Sequence, residues 1–213
     1  ELVGQVSTVA FDKTGTLTEG KPRVTDVIGF KTAHTAAEGH DKLLSLFASV
    51  DATSSHPLAI AIVDYAKAAK VVIPDASNAF ATAGKAVHAT VAGRSLAIGS
   101  PVYVAEKVML LAEQQIQIEM LQNDGKTVSI LFDEKTRDAL GLVALRDELR
   151  EDAQQAIAQL NKMNVRSVML TGDNSRTAKA LASQLDIEWQ AELLPEDKLR
   201  LLSEMQSNSK IAM

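Results

Sequence analysis

Three short stretches carry residue types that could do chemistry on a phosphoryl group. The first is Asp12-Lys13-Thr14-Gly15-Thr16-Leu17-Thr18, which follows the apolar run Val9-Ala10-Phe11. The others are Thr171-Gly172-Asp173-Asn174 and Leu194-Pro195-Glu196-Asp197-Lys198. A carboxylate can attack phosphorus and form an aspartyl-phosphate. The attack needs cations and hydrogen-bond donors around the phosphoryl oxygens, where charge accumulates in the transition state. Asp12 is the candidate nucleophile. Lys13, Thr14, Thr16 and the Gly15 turn are candidate donors beside it, Thr171 and Gly172 add donors from the second stretch, and Lys198 is the candidate compact cation. A lone Asp after a strand ordinarily only opens a turn. The Lys, the Gly and the three Thr within the next six residues set this one apart.

The elements around these stretches can place them together. Ligands of open α/β sheets bind beyond the carboxyl ends of the strands. Ser7–Phe11 predicts a short apolar strand ending at Asp12, and Val165–Leu170 a strand ending at Thr171. The continuous apolar run Ala139–Leu145 predicts another strand of the same parallel sheet, covered on both faces. A helix is expected from about Asp147, with Ala153, Ala156, Ile157 and Leu160 at helical spacing and Asp147 and Glu148 at its N-terminal end. Further helices are expected over Ser175–Leu185, capped by Asn174 or Ser175, and over Glu196–Met205. Strand, helix, strand, helix is the signature of a doubly wound parallel α/β sheet.

Different material lies between about Val24 and Asp138. Asp41–Val50 predicts a helix, and His56-Pro57 opens another, with Pro in its first turn. Val87–Val91 and Ser95–Ile98 predict a hairpin across Ala92-Gly93-Arg94, and Asn123-Asp124-Gly125 a turn before a strand over Thr127–Phe132. The reading is an α+β insert that interrupts the parallel-sheet domain after its first strand. The boundaries expected are residues 1–24 and 139–213 for that domain and 25–138 for the insert. The crossings near Pro22–Thr25 and Asp138–Ala139 form the expected hinge.

Composition narrows the function classes. The chain has 213 residues, 46% hydrophobic and 23% charged, as in an ordinary soluble globular protein. A net charge of -5 argues against nucleic acid as a partner. The absence of Cys excludes disulfides and thiolate metal sites. No run of about 18 apolar residues spans a bilayer, and no signal-peptide pattern follows Glu1. The start close to a strand and the strand-like end Lys210-Ile211-Ala212-Met213 suggest a piece excised from a longer protein.

Asp12–Thr18 matches in full the phosphorylation motif of the P-type ATPases, cation pumps built on the haloacid dehalogenase-like fold. The second and third stretches resemble that family's next two motifs, in order and spacing, and this brings Asp173 into the catalytic set. Ser55-His56-Pro57-Leu58-Ala59 resembles the His-Pro motif of the heavy-metal-transporting branch, where the His contacts the adenine end of ATP. The resemblance covers essentially the whole chain. It implies that the α/β part is the phosphorylation domain and the insert the nucleotide-binding domain. The cofactors implied are ATP and Mg²⁺, with Asp12 and Thr14 in the magnesium site. Related phosphatases usually carry an acid at the position of Thr14, as general acid and base. A Thr there removes the local base and favours a long-lived phosphoenzyme, as a pump needs.

The resemblance carries further residues. Asp51 stands where this branch usually has a Glu near the adenine. Gly84-Lys85-Ala86 falls on a Gly-x-Gly pattern, with Ala86 replacing the second Gly, and Gly99 in Ile98-Gly99-Ser100 matches another family glycine. Asp147 and Arg150 resemble a family pair near the hinge, although a salt bridge at a helix start fits them equally. The Gly-Asp-Gly-x-x-Asp motif that completes the magnesium site would follow Met213, so weak nucleotide binding and little turnover are expected of this chain alone. The partners implied are the pump's own transmembrane and actuator domains, at the cytoplasmic face of the cell membrane. The transported ion reads as zinc, cadmium or lead in preference to copper.

Two other readings stand beside this one: a soluble haloacid dehalogenase-like phosphatase with a cap domain, which Thr14 opposes, and a non-catalytic nucleotide-binding module, which intact Asp12 and Lys198 oppose. Gly125-Lys126-Thr127 is no P-loop, because the upstream Gly is missing and a strand follows. His34, His40 and His88 read as ordinary surface or strand residues, too scattered for a metal site.

Overall fold

The computed structural model describes residues 6–32, 36–208 and 211–212. Glu1, His34, Lys210 and Met213 lie outside them. The chain divides into two compact units, Glu1–Lys21 with Gln122–Thr127 and Asp147–Met213, and Pro22–Leu121 with Val128–Arg146.

The first unit is built on a four-stranded sheet of β1 (Thr8–Asp12), β8 (Arg166–Leu170), β9 (Glu188–Gln190) and β10 (Ile211–Ala212), in the order β10-β1-β8-β9. All its pairings are parallel. Alternate residues serve opposite faces. Met169, with Phe11 beside it, packs against α5 (Ala153–Lys162) and α6 (Ser175–Leu185) through Ile157, Ala178, Leu181 and Leu185. Ala10, Val168 and Leu170 meet Leu202 and Met205 of α7 (Pro195–Asn208) on the other face. Asn174 caps α6, its Oδ1 accepting from Thr177 N at 3.0 Å, as the sequence predicts. The helix expected from Asp147 begins only at Ala153. Residues 147–150 are instead drawn to the chain after Asp12: Arg150 N donates to Leu17 O at 3.0 Å and Glu19 N to Glu148 O at 2.9 Å. The Asp147 carboxylate, which suits a helix start, accepts instead from Thr18 Oγ1 and Lys21 N, an outcome that depends on tertiary contacts.

The second unit holds six strands: β2 (Arg23–Gly29), β3 (Ala76–Thr82), β4 (Ala86–Val91), β5 (Arg94–Gly99), β6 (Thr127–Asp133) and β7 (Asp138–Arg146), in the order β2-β7-β6-β5-β4-β3. The pairings β2–β7, β3–β4, β4–β5 and β5–β6 are antiparallel. Helices α1 (His40–Asp51) and α2 (Pro57–Ala68) cover one face around Leu43, Phe47, Ile62 and Leu131. On the other face, α3 (Pro101–Ala105) and α4 (Ala112–Asn123) close over Val104, Ile118, Ile130 and Leu142. The β4–β5 hairpin turns at Ala92 (φ 49°) and Gly93 (φ 78°), both left-handed, as a two-residue type I′ turn requires.

One assignment is corrected. The apolar run expected in the parallel sheet is β7, which pairs antiparallel with β2 inside the second unit. Leu140, Val143 and Leu145 face the α1–α2 core, while Ala139, Leu142 and Ala144 face the α3–α4 core. A strand covered on both faces reads as continuously apolar whichever sheet it joins. The units therefore change at residues 21/22, 121/122, 127/128 and 146/147, and Asp138–Ala139 lies inside a strand rather than at a crossing.

Candidate functional sites

In the first unit, Asp12 closes β1 beside Leu170, the end of β8, so the loops after both strands open at the same end of the sheet. Lys198, in the first turn of α7, places Nζ 2.6 Å from Asp12 Oδ1. The side chains remain 40% (Asp12) and 24% (Lys198) exposed, so a ligand can reach the pair. After Asp12 the chain makes one wide turn over residues 13–17, closed by Thr18 N donating to Lys13 O at 3.0 Å. Gly15 takes φ +77° within it, a conformation that strains other residues. The turn leaves Thr14 and Thr16 exposed, and among the described residues neither hydroxyl has a protein partner.

Lys13 turns inward. Its Nζ sits 2.5 Å from Asp173 Oδ2, and that contact is an ion pair without hydrogen-bond alignment, since Oδ2 has no hydrogen-bond donor. Thr171 is buried and its Oγ1 accepts from Asp173 N at 3.1 Å. At Gly172 the backbone passes so close to Leu193 O that a Cβ would lie 3.2 Å from it. The three stretches named from the sequence thus converge: Asp12 meets Lys198, and Lys13 meets Asp173.

Mg²⁺ requires hard oxygen ligands and normally keeps water and phosphate in its shell. Asp12 retains one carboxylate oxygen beyond the Lys198 contact, and Thr14 offers neutral oxygens in the exposed turn. These fit two ligands of such a site. No cluster of three or more His, Asp or Glu able to hold a metal exists among the described residues.

The second unit positions the other candidates. Asp51 is the last residue of α1 and His56 the N-cap of α2. His56 Nδ1 accepts from Leu58 N at 3.2 Å, so a neutral ring carries its proton on Nε2, the free nitrogen. The side chain itself is exposed. Asp51 is 4% exposed, and burial pushes its carboxyl up to about 7. Gly84 (φ +67°) and the exposed Lys85 form the β3–β4 turn. Gly99 pairs with Ala86, and a Cβ there would lie 3.3 Å from Lys85 O and 2.7 Å from the Tyr103 ring. Gly84, Lys85 and Gly99 therefore share one end of the sheet. Among the described residues, no hydrogen bond or ion pair ties them to Asp51 or His56.

Two residues gain a larger part than the sequence suggested. Thr18, inside the first motif, is fully buried and hydrogen-bonded to Asp147, which settles Asp147 as a partner of the Asp12 loop. Arg150 bonds Asp152 instead, Nε to Oδ1 at 3.3 Å. His40 is exposed at the start of α1, but His88 is a buried strand residue and not a surface one.

A sequence profile of the haloacid dehalogenase-like hydrolases matches residues 6–213. The zinc/cadmium/lead-transporting P-type ATPase of Escherichia coli K12 is 41% identical over all of this chain, which spans 28% of that protein. The copper-exporting P-type ATPase of Staphylococcus haemolyticus is 38% identical over 97% of the chain and 24% of its own length. The solved catalytic domain of the CPx-ATPase CopB-B, described for its conformational changes upon nucleotide binding, superposes with a TM-score of 0.72 at 25% identity, covering 99% of this chain and 71% of that one. Both strand ends and all three motif stretches lie within the region matched, and the chain belongs to the haloacid dehalogenase-like hydrolase family, its homologues being heavy-metal P-type ATPases.

Proposed function

We propose that this chain is the ATP-binding, autophosphorylating cytosolic part of a heavy-metal cation-exporting P-type ATPase. The observation that carries the reading is Asp12 at the end of β1, opposite Lys198, with Thr14 where a hydrolase would place its acid. An Asp12 carboxylate oxygen attacks the γ-phosphorus of ATP. The bond from that phosphorus to the β,γ-bridging oxygen breaks, its electron pair leaves with ADP, and an aspartyl-phosphate remains. Lys198 offsets charge on the oxygens of the transferred group. Thr171 orients Asp173, and Asp173 holds Lys13. Mg²⁺ held by Asp12 and Thr14 would supply Lewis-acid neutralisation of the phosphates. Thr14 has no carboxyl to take a proton from water, so the aspartyl-phosphate persists long enough to drive transport. The same lack argues against a stand-alone phosphatase.

The second unit is proposed as the nucleotide-binding domain, with His56, Asp51, Gly84, Lys85 and Gly99 in its site. The intact protein would act at the cytoplasmic face of a membrane with its transmembrane and actuator domains, and no helix among the described residues is long and apolar enough to cross one. Zinc, cadmium or lead is the favoured cargo, since the E. coli relative is the more similar of the two compared, by a narrow margin. Calorimetric titration with Mg-free ATP tests the reading on wild type and His56→Gln. Binding that the substitution largely removes supports it, and equal binding by both overturns the assignment of His56.

A further inference from the structure

Beside the Gly84–Lys85 turn, the second unit buries one histidine in a continuous set of polar contacts. His88, on β4, is 5% exposed. Its Nδ1 lies 3.0 Å from Glu134 Oε1 and its Nε2 3.1 Å from Thr82 Oγ1. Ser95 Oγ donates to the other Glu134 oxygen at 2.8 Å, and Glu134 N donates to Ser95 O at 2.9 Å. A carboxylate only accepts, so Nδ1 carries a proton and Nε2 is left for the Thr82 hydroxyl. The Phe80 ring stacks on the imidazole with centroids 4.4 Å apart and planes 3° from parallel, and Tyr103 meets it edge-on at 6.5 Å.

This cluster sits at the foot of the β3–β4 turn. Thr82 ends β3 and pairs with Ala86, which begins β4, and Gly84 and Lys85 lie between them. β3 is an edge strand, mostly exposed, and its register slips between Ser77 and Phe80. An edge strand with one neighbour frays more readily than a central one, so its end needs side-chain anchors. Phe80 and Thr82 are those anchors, and both rest on His88. Glu134, the residue after β6, carries the tie to Ser95 of β5, and both strands lie inside the sheet.

We propose that His88 is a positioning residue for nucleotide binding: its link from Glu134 to Thr82 holds the Gly84–Lys85 turn in register against Gly99. The inference rests on the nucleotide site proposed above. It can be tested on the full chain by NMR titration with ADP. His88→Phe keeps the ring stack and removes both hydrogen bonds, and Thr82→Val removes the hydroxyl alone. Each is expected to weaken ADP by about three- to tenfold and to move the Gly84 and Lys85 amide signals before ADP is added. The double variant should be no weaker than either single one, because both break the same link. His88→Gln, which can still reach two partners, should recover part of the affinity. Ile118→Val, a core change on α4, should leave it unaltered, which separates positioning from general loosening. Should His88→Phe fail to fold, Thr82→Val decides alone. Wild-type signals of Gly84 and Lys85 that do not respond to ADP overturn the nucleotide reading and this role with it. Normal responses with unchanged affinity in the variants overturn the positioning role only.

Discussion

The hydroxyl of Thr18 lies 2.6 Å from Asp147 Oδ2, a bond between residues 129 positions apart. Thr18 Oγ1 is also 3.1 Å from Lys13 O, but its single proton goes to the nearer, charged acceptor. The other Asp147 oxygen accepts from Lys21 N at 3.0 Å. One carboxylate thereby fixes the end of the loop that follows Asp12 and the residue at which the chain leaves the first unit.

Removing that carboxylate should destabilise the first unit. Asp147→Ala removes the charged acceptor of the buried Thr18 hydroxyl, which falls back on Lys13 O, and leaves the Lys21 amide to water, at a cost of about 1–3 kcal/mol. Thr18→Val should cost less, and the pair together less than the sum, because they share one bond. Urea unfolding of the three variants measures this. Strict additivity would show that the bond contributes nothing.

The two ion pairs near Asp12 should behave differently. Lys198 and Asp12 are partly in solvent, so Lys198→Ala should change stability by less than about 1 kcal/mol. Lys13 and Asp173 have side chains only 9% and 18% exposed, so Lys13→Ala should cost about 1–3 kcal/mol by leaving Asp173 without its cation. Chemical denaturation ranks them directly. A larger loss at Lys198 would mean that its pairing with Asp12 is structural first.

The motif stretches were legible in the sequence because strand ends and turn residues are local features. β1, β8 and the cap of α6 follow from apolar runs that stop at polar turns. The placement of β7 was not legible, since burial on both faces erases the alternation that tells one sheet from another. Helix α4 is not legible for a related reason: it buries Gln114 and Gln122 while exposing Ile116 and Met120, so its pattern points the wrong way. His88 gave no signal at all. A histidine alternating with Ala and Thr in a strand looks ordinary until Phe80 and Thr82 of β3 and Glu134 after β6 converge on it.

Asp51 should make stability depend on pH. Burial raises its carboxyl from 3.8 to about 7. Between those values the folded chain holds a proton that the unfolded chain releases, so the folded state binds more protons and stability falls as pH rises. The contribution is complete below 3.8 and is lost as pH passes about 7, with a slope of up to roughly 1.4 kcal/mol per pH unit. Asp51→Asn keeps the shape without the charge, so it should be more stable than wild type at pH 8 and nearly equal to it at pH 4. Urea midpoints across that range check the sign, and a wild-type advantage at pH 8 would mean that the carboxylate has a cationic partner in solution.

His56 offers a way to divide structure from binding. Its Nδ1 caps α2 by accepting from Leu58 N, and its Nε2 faces solvent from an exposed ring. Asn caps at least as well as other residues, whereas Ala does not cap and costs about 0.5–2 kcal/mol at such positions. His56→Asn should therefore match wild type in thermal unfolding, while His56→Ala falls below both. If the ring serves the nucleotide through Nε2 and its face, both variants should lose ADP affinity alike, whatever their stability. If capping is the whole role, affinity should follow stability, and His56→Asn should bind ADP as wild type does. Unfolding and ADP titration on the same three proteins separate these outcomes, because the cap uses one nitrogen and the proposed ligand contact the other.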